Sequence, residues 1–181
     1  ESFHSAEGAQ VCVELLDAEG KTVASGTGAD LTLTISQVHL WDGLKDPYLY
    51  TAVARLERVG VVKDEVRARF GVRTFRMDPD KGFFLNGRSY PLRGVCRHQD
   101  RRDMGNAISE AEHREDMDLI REIGANTIRL AHYQHDQFFY DLCDEYGMVV
   151  WAEIPYISSH MNTGRQNTFD QMQELIVQNY N

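Results

Sequence analysis

No stretch of this sequence approaches the roughly 18 consecutive apolar residues that a membrane-crossing helix needs, and no bilayer-spanning segment is expected. Blocks of lysine or arginine are missing as well. The formal charge is −9, and the densest basic cluster, Arg97, Arg101 and Arg102, is balanced by Asp100 and Asp103. A phosphate backbone or an anionic membrane surface requires a basic face, so neither nucleic acid nor membrane is expected as a partner. The three cysteines, Cys12, Cys96 and Cys143, lie far apart and are odd in number. They supply neither a disulfide framework nor a spaced metal site, and they point to a reducing compartment, the cytoplasm. The opening ESFHSAEG has no charged segment leading into an apolar one, so no secretory leader is legible there.

What is present is the composition of a globular protein, 42% hydrophobic and 26% charged. From residue 9 to about 77 the hydrophobic pattern has period two: Val11, Val13 and Leu15; Leu31, Leu33 and Ile35; Val66, Ala68 and Phe70. Turn chemistry at Asp17–Gly20, 26–30, Asp42-Gly43 and Gly60 separates the runs. Strands are expected at about 10–16, 21–25, 31–36, 48–58 and 62–76, an immunoglobulin-like β-sandwich. Five strands in ~75 residues fall short of the ~7 in ~100 of a complete sandwich, so the N-terminal strands are expected to be missing.

After Met77 the pattern changes. Asn86-Gly87 follows an apolar run and predicts a hairpin. Ser109 with Glu112 three residues on forms a capping box for a helix ending at Gly124. A short strand at 127–131 follows, then a helical repeat through Phe138, Phe139, Leu142, Cys143 and Tyr146, then the apolar run 148–152. Thr168 is placed to cap a last helix carrying Met172, Leu175, Ile176 and Tyr180. The order βαβαβα implies a parallel sheet. Neither a G-x-G-x-x-G turn nor a P-loop occurs, which leaves a nucleotide-binding sheet without its main support and favours the N-terminal part of a (β/α)₈ TIM barrel. Three βα units cannot close such a barrel, so the chain reads as a piece of something larger: an incomplete sandwich over 1–77 and a truncated barrel over 78–181.

Barrel chemistry sits at the C-terminal ends of the strands. There the sequence puts His98 and Asp100, then His132 and His135, then Glu153. The bland alternative is that polar residues simply begin where a strand leaves the core. A metal reading rests on His132-x-x-His135 with His98 and Glu153, a loop spacing that does not by itself fix two ligands on one face. Cys96 is expected as a small core residue, with a nucleophile or ligand as the alternative. Arg129 points oppositely to Ile128 and Leu130 within its strand, and a guanidinium there requires a carboxylate partner. Trp151 and the aromatics from Phe138 to Tyr146 are expected in the core, with sugar stacking as the minority alternative.

Taken in order, several motifs resemble glycoside hydrolase family 2. They are Leu40-Trp41-Asp42-Gly43, Pro47-Tyr48-Leu49-Tyr50, Phe70-Gly71-Val72-Arg73, Leu85-Asn86-Gly87, Arg93-Gly94-Val95, Arg97-His98-Gln99-Asp100, Asn126-Thr127-Ile128-Arg129 with His132-Tyr133, and Leu142–Gly147. Arg-His-Gln-Asp and Leu-Ala-His-Tyr-Gln-His-Asp are most similar to bacterial β-galactosidases, with β-glucuronidases as the alternative within the family. The resemblance implies a retaining exo-β-glycosidase acting on a β-linked sugar through two glutamates, both expected after Asn181, so the chain alone is expected to be inactive. It implies sugar contacts for His98, Asp100 and His132, and supporting roles for Arg129 and Glu153. It places the parent in a bacterial cytoplasm and leaves a homo-oligomer open. Some members bind magnesium through a Glu and a His after the third strand; here 154–160 reads IPYISSH without the Glu, so no cofactor is expected. A carbohydrate-binding or spacer module without catalysis is the non-enzymatic alternative.

Overall fold

The computed structural model describes residues 8–159 and 161–180. These form two compact units, one from the residues up to Trp41 with Tyr48–Val72, the other from Asp42–Pro47 with everything from Arg73 onward.

The first unit is an antiparallel sheet of four strands in the order β2-β1-β3-β4: β1 (Ala9–Leu16), β2 (Thr22–Thr27), β3 (Tyr50–Arg58) and β4 (Val61–Phe70). The registers Leu15↔Ala52, Val13↔Ala54 and Ala54↔Val66 put these five apolar residues on one face, as period two requires, while the fully buried Val53 lies on the other, opposite Glu14. The other face carries charge, with Arg55 donating to Glu14 and, at 2.6 Å, to Glu65, which also accepts from Arg67 at 2.8 Å. Residues 31–36, expected as a strand, join no ladder. Their alternate burial is real, because Leu31 and Leu33 lie against Gly26 of β2; the pattern reported an extended, half-buried segment and not its hydrogen bonds. Trp41 and Tyr50 are buried, Trp41 resting on Gly71, and the Tyr50 hydroxyl accepts the His39 amide at 2.8 Å.

The expected strand 62–76 divides. β4 stops at Phe70, and β5 (Phe75–Asp78) pairs instead with β6 (Gly82–Leu85) in a small sheet that β7 (Arg88–Ser89) completes. The Asn86-Gly87 hairpin joins β6 and β7 as predicted, both residues having positive φ.

The remainder alternates as expected: β8 (Gly94–Arg97), α1 (Glu110–Glu122), β9 (Thr127–Leu130), α2 (Gln137–Tyr146), β10 (Val149–Ala152) and α3 (Arg165–Gln178). The capping box at the start of α1 is present, the Ser109 hydroxyl accepting from Ala111 and the Ser109 amide donating to Glu112 at 2.7 Å. Asp136 caps α2, and Gly147 ends it in the left-handed conformation, where a Cβ would overlap the Gly43 carbonyl. α3 differs from expectation: it begins at Arg165, and Thr168 lies inside it, bonding back to the Gly164 carbonyl at 3.1 Å instead of capping.

The three strands are parallel, in the order β10-β9-β8. Met117 and Ile120 of α1 and Phe139, Leu142 and Cys143 of α2 pack on Ile128 and Leu130, so both helices cover one face. Each such buried side chain contributes about 1.5–3 kcal/mol relative to exposure. Sequential parallel neighbours with both helices on one side are the start of a (β/α)₈ barrel, not a doubly wound sheet.

Candidate active-site face

Strand alternation divides the side chains of β8–β10 into two sets. Val95, Ile128 and Val150 share a register row on the helix side; the next row is Cys96, Arg129 and Trp151. That second row faces away from the core, and Cys96 and Trp151 are exposed, the latter by 60%. Both were expected to be interior; their parity, opposite to Val95 and Val150, turns them away from the helices, toward the side that lines the inside of a closed (β/α)₈ barrel.

Arg129 has the partner its placement demanded. Its Nε donates to Glu153 Oε1 at 2.6 Å and its Nη2 to Oε2 at 3.0 Å, while Nη1 lies 3.5 Å from Cys96 Sγ. Glu153 Oε2 also accepts the backbone N–H of His132 at 2.7 Å and stands 3.3 Å from His132 Nδ1. The Arg129 guanidinium holds the Glu153 carboxyl below its ordinary 4.5, outweighing burial, with the His132 amide adding to it. A carboxylate so tied stays ionised near neutrality, which suits an anchor and not a general acid. The imidazole of His98, after β8, lies 5.1 Å from that of His132, after β9. Glu153, His132 and His98 thus converge from three neighbouring strands, while Asp100 is exposed and takes no part in the Arg129–Glu153–His132 hydrogen bonds.

His135 goes elsewhere. It is buried, with Nδ1 3.0 Å from Arg97 Nη1 and Nε2 3.4 Å from the Ala131 carbonyl. Arg97, on the helix side with Val95, is buried between the layers, donating to Asp116 at 2.8 and 2.9 Å, lying 3.0 Å from His113 Nδ1 and stacking 3.8 Å over Phe139. Both histidines must accept from an arginine that is always charged, so both are neutral. Burial, reinforced by Arg97, pushes His113 down and His135 down to about 4.

The sequence shows Arg97 as a member of a basic cluster and of a motif, without this network; its carboxylate partner is Asp116, not Asp100 or Asp103. Its parity with Val95, and the i, i+3 spacing of His113 and Asp116 on the inner side of α1, were the available signals. A second link was also missed: Tyr133 Oη accepts the Gln99 amide at 3.0 Å, and Gln99 Oε1 accepts the Asp136 amide at 2.6 Å, stapling the segment after β8 to the one before α2.

His132 and His135 serve opposite sides of the sheet, so the H-x-x-H spacing does not bring them together as a ligand pair. Among the described residues no group of three or more His, Cys, Asp or Glu could hold an ion. The sequence 154–159 offers no carboxylate for a family-type magnesium site, and His160 lies outside the described residues.

A β-sheet unit followed by the first βα units of a barrel, with titratable groups gathered at the strand ends, defines the opening part of a (β/α)₈ barrel protein with its candidate site at the C-terminal ends of the strands. The chain belongs to glycosyl hydrolase family 2: the model of that family's TIM barrel domain matches residues 78–180, and a second model, glycosyl hydrolases family 2, matches 4–73. Its relatives include a β-glucuronidase of Bacteroides fragilis, 44% identical over 176 residues, covering 90% of this chain and 25% of the relative. A β-galactosidase of Bacteroides ovatus is 37% identical over 158 residues, covering 81% and 18%. Among solved structures, the FMN-binding β-glucuronidase from Facaelibacterium prausnitzii L2-6 superposes with a TM-score of 0.88 at 45% identity, covering 97% of this chain and 28% of that one. The chain therefore spans about a quarter of the length of its relatives. The preference for β-galactosidases drawn from the motifs is not favoured over β-glucuronidase by these similarities.

Proposed function

We propose that this chain is the sugar-holding part of a retaining exo-β-glycosidase, and that the parent acts on terminal β-glucuronides in preference to β-galactosides. The observation that carries the reading is the convergence of His98, His132 and the Arg129–Glu153 pair at the C-terminal ends of adjacent parallel strands. Imidazoles can exchange hydrogen bonds with sugar hydroxyls, and the fixed ion pair beneath His132 holds that residue in place as substrate arrives. The glucuronide preference rests on the 44% identity to a β-glucuronidase against 37% to a β-galactosidase.

In this reading the acid/base and nucleophile glutamates, ~5–5.5 Å apart in a retaining enzyme, belong to later strands of the parent. The residues of this chain bind and orient; the bond is cleaved by groups it does not contain. The test compares p-nitrophenyl β-D-glucuronide with the β-D-galactoside, using the full-length protein and the 181-residue chain. Turnover by the full-length protein, higher kcat/KM for the glucuronide, and none by the chain are expected. Turnover by the purified chain, or of neither glycoside by the parent, would defeat the reading.

A further inference from the structure

His132 adopts a backbone conformation that its side chain disfavours. Its φ is +73°, and the Tyr133 amide donates to the Ala131 carbonyl at 3.0 Å across it. A three-residue turn closed by that bond around a residue of positive φ is the rare, strained form of the γ-turn. Such a conformation persists only where its surroundings over-determine it.

What over-determines it lies on the next strand. Glu153 Oε2 takes the His132 amide at 2.7 Å and faces its Nδ1 at 3.3 Å, and the fork of Arg129 fixes both oxygens of the carboxylate. The amide that Glu153 satisfies belongs to the strained residue itself. A staple between β9 and β10 would need only the Arg129 contacts; the bond to His132 is additional, and it falls on the residue whose ring stands 5.1 Å from that of His98.

We propose that Glu153 is a positioning residue: its carboxylate holds the strained γ-turn at His132 and so sets where the imidazole stands against the sugar. This rests on the reading of this face as a sugar site. Of the two neighbours of Glu153, Arg129 serves to aim the carboxylate and His132 is what it aims at.

The test is a double-mutant cycle in the full-length protein with Glu153→Ala, His132→Ala and the pair together, measured on whichever p-nitrophenyl glycoside is turned over. Glu153→Ala is expected to raise KM about tenfold or more with a smaller change in kcat, since misplacing one contact group has effects of that size. In the His132→Ala background the same change is expected to alter KM by less than about twofold, because the group it positions is already gone. Glu153→Gln keeps one acceptor oxygen and should fall between Glu153→Ala and wild type; if Glu153→Ala does not fold, the cycle is read with Glu153→Gln. An equal KM penalty in both backgrounds overturns the proposal. Should no glycoside be turned over, the functional reading fails, and the positioning is read from a crystal structure of the Glu153 variant. There φ of residue 132 is expected to become negative with the ring displaced; a retained positive φ with the ring in place overturns it.

Discussion

Arg129 and Glu153, 24 positions apart, grip each other through two hydrogen bonds of 2.6 and 3.0 Å at the open face of a parallel sheet. The pairing depends on the planar fork of the guanidinium, which a lysine ammonium cannot reproduce. Arg129→Lys should therefore lower the equilibrium denaturation midpoint of the full-length protein, despite keeping the charge. An unchanged midpoint would show that the fork geometry is dispensable.

The buried cluster around Arg97 should be less forgiving. Replacing Arg97 by alanine leaves Asp116 without its partner and removes the cation from the face of Phe139. Breaking a largely buried pair from one side is expected to destabilise by about 3 kcal/mol. Urea denaturation measures it.

Acid should weaken the fold in two windows. His135 has its folded pKa lowered from 6.5 to about 4, so its neutral form stabilises the native state. That stabilisation is complete above 6.5 and is lost as pH falls toward about 4, amounting to roughly 3 kcal/mol. Glu153, lowered from 4.5 by Arg129, contributes stability above 4.5 that disappears as pH drops through its depressed value. Thermal midpoints followed from pH 8 to 3 should therefore lose part of their upper slope in His135→Gln, His113 supplying the remainder, and part of their lower slope in Glu153→Gln. A profile unaltered by His135→Gln would contradict the neutral-histidine assignment.

Gly147→Ala should destabilise by about 1–2 kcal/mol, because the residue has φ +76° and a Cβ would meet the Gly43 carbonyl. A neutral effect in thermal melting would mean that the turn after α2 can relax.

The legible parts of the sequence were those that local chemistry decides. Ser109 with Glu112, Asn86-Gly87 and Gly124 marked their helix start, hairpin and helix end because a cap or a left-handed turn depends on a few adjacent residues. Arg129 was readable as paired because its strand parity set it apart from Ile128 and Leu130. Partners chosen by tertiary contact were harder. His135 looks like His132 on paper, yet a difference of three positions after β9 sends one to the open face and the other to Arg97 beneath it. Residues 31–36 have a strand's alternation, but a ladder requires a neighbour, and alternation records only which side is covered.

The central claim is that the ends of β8, β9 and β10 hold the sugar. The most direct test is calorimetric titration of the full-length protein with D-glucuronate and D-galactose, repeated for His98→Ala and His132→Ala. Each substitution should weaken binding of the preferred sugar about tenfold or more while leaving the thermal midpoint close to wild type, the loss of roughly one well-placed polar contact. Binding that survives both substitutions unchanged would contradict the account and move the sugar to another surface.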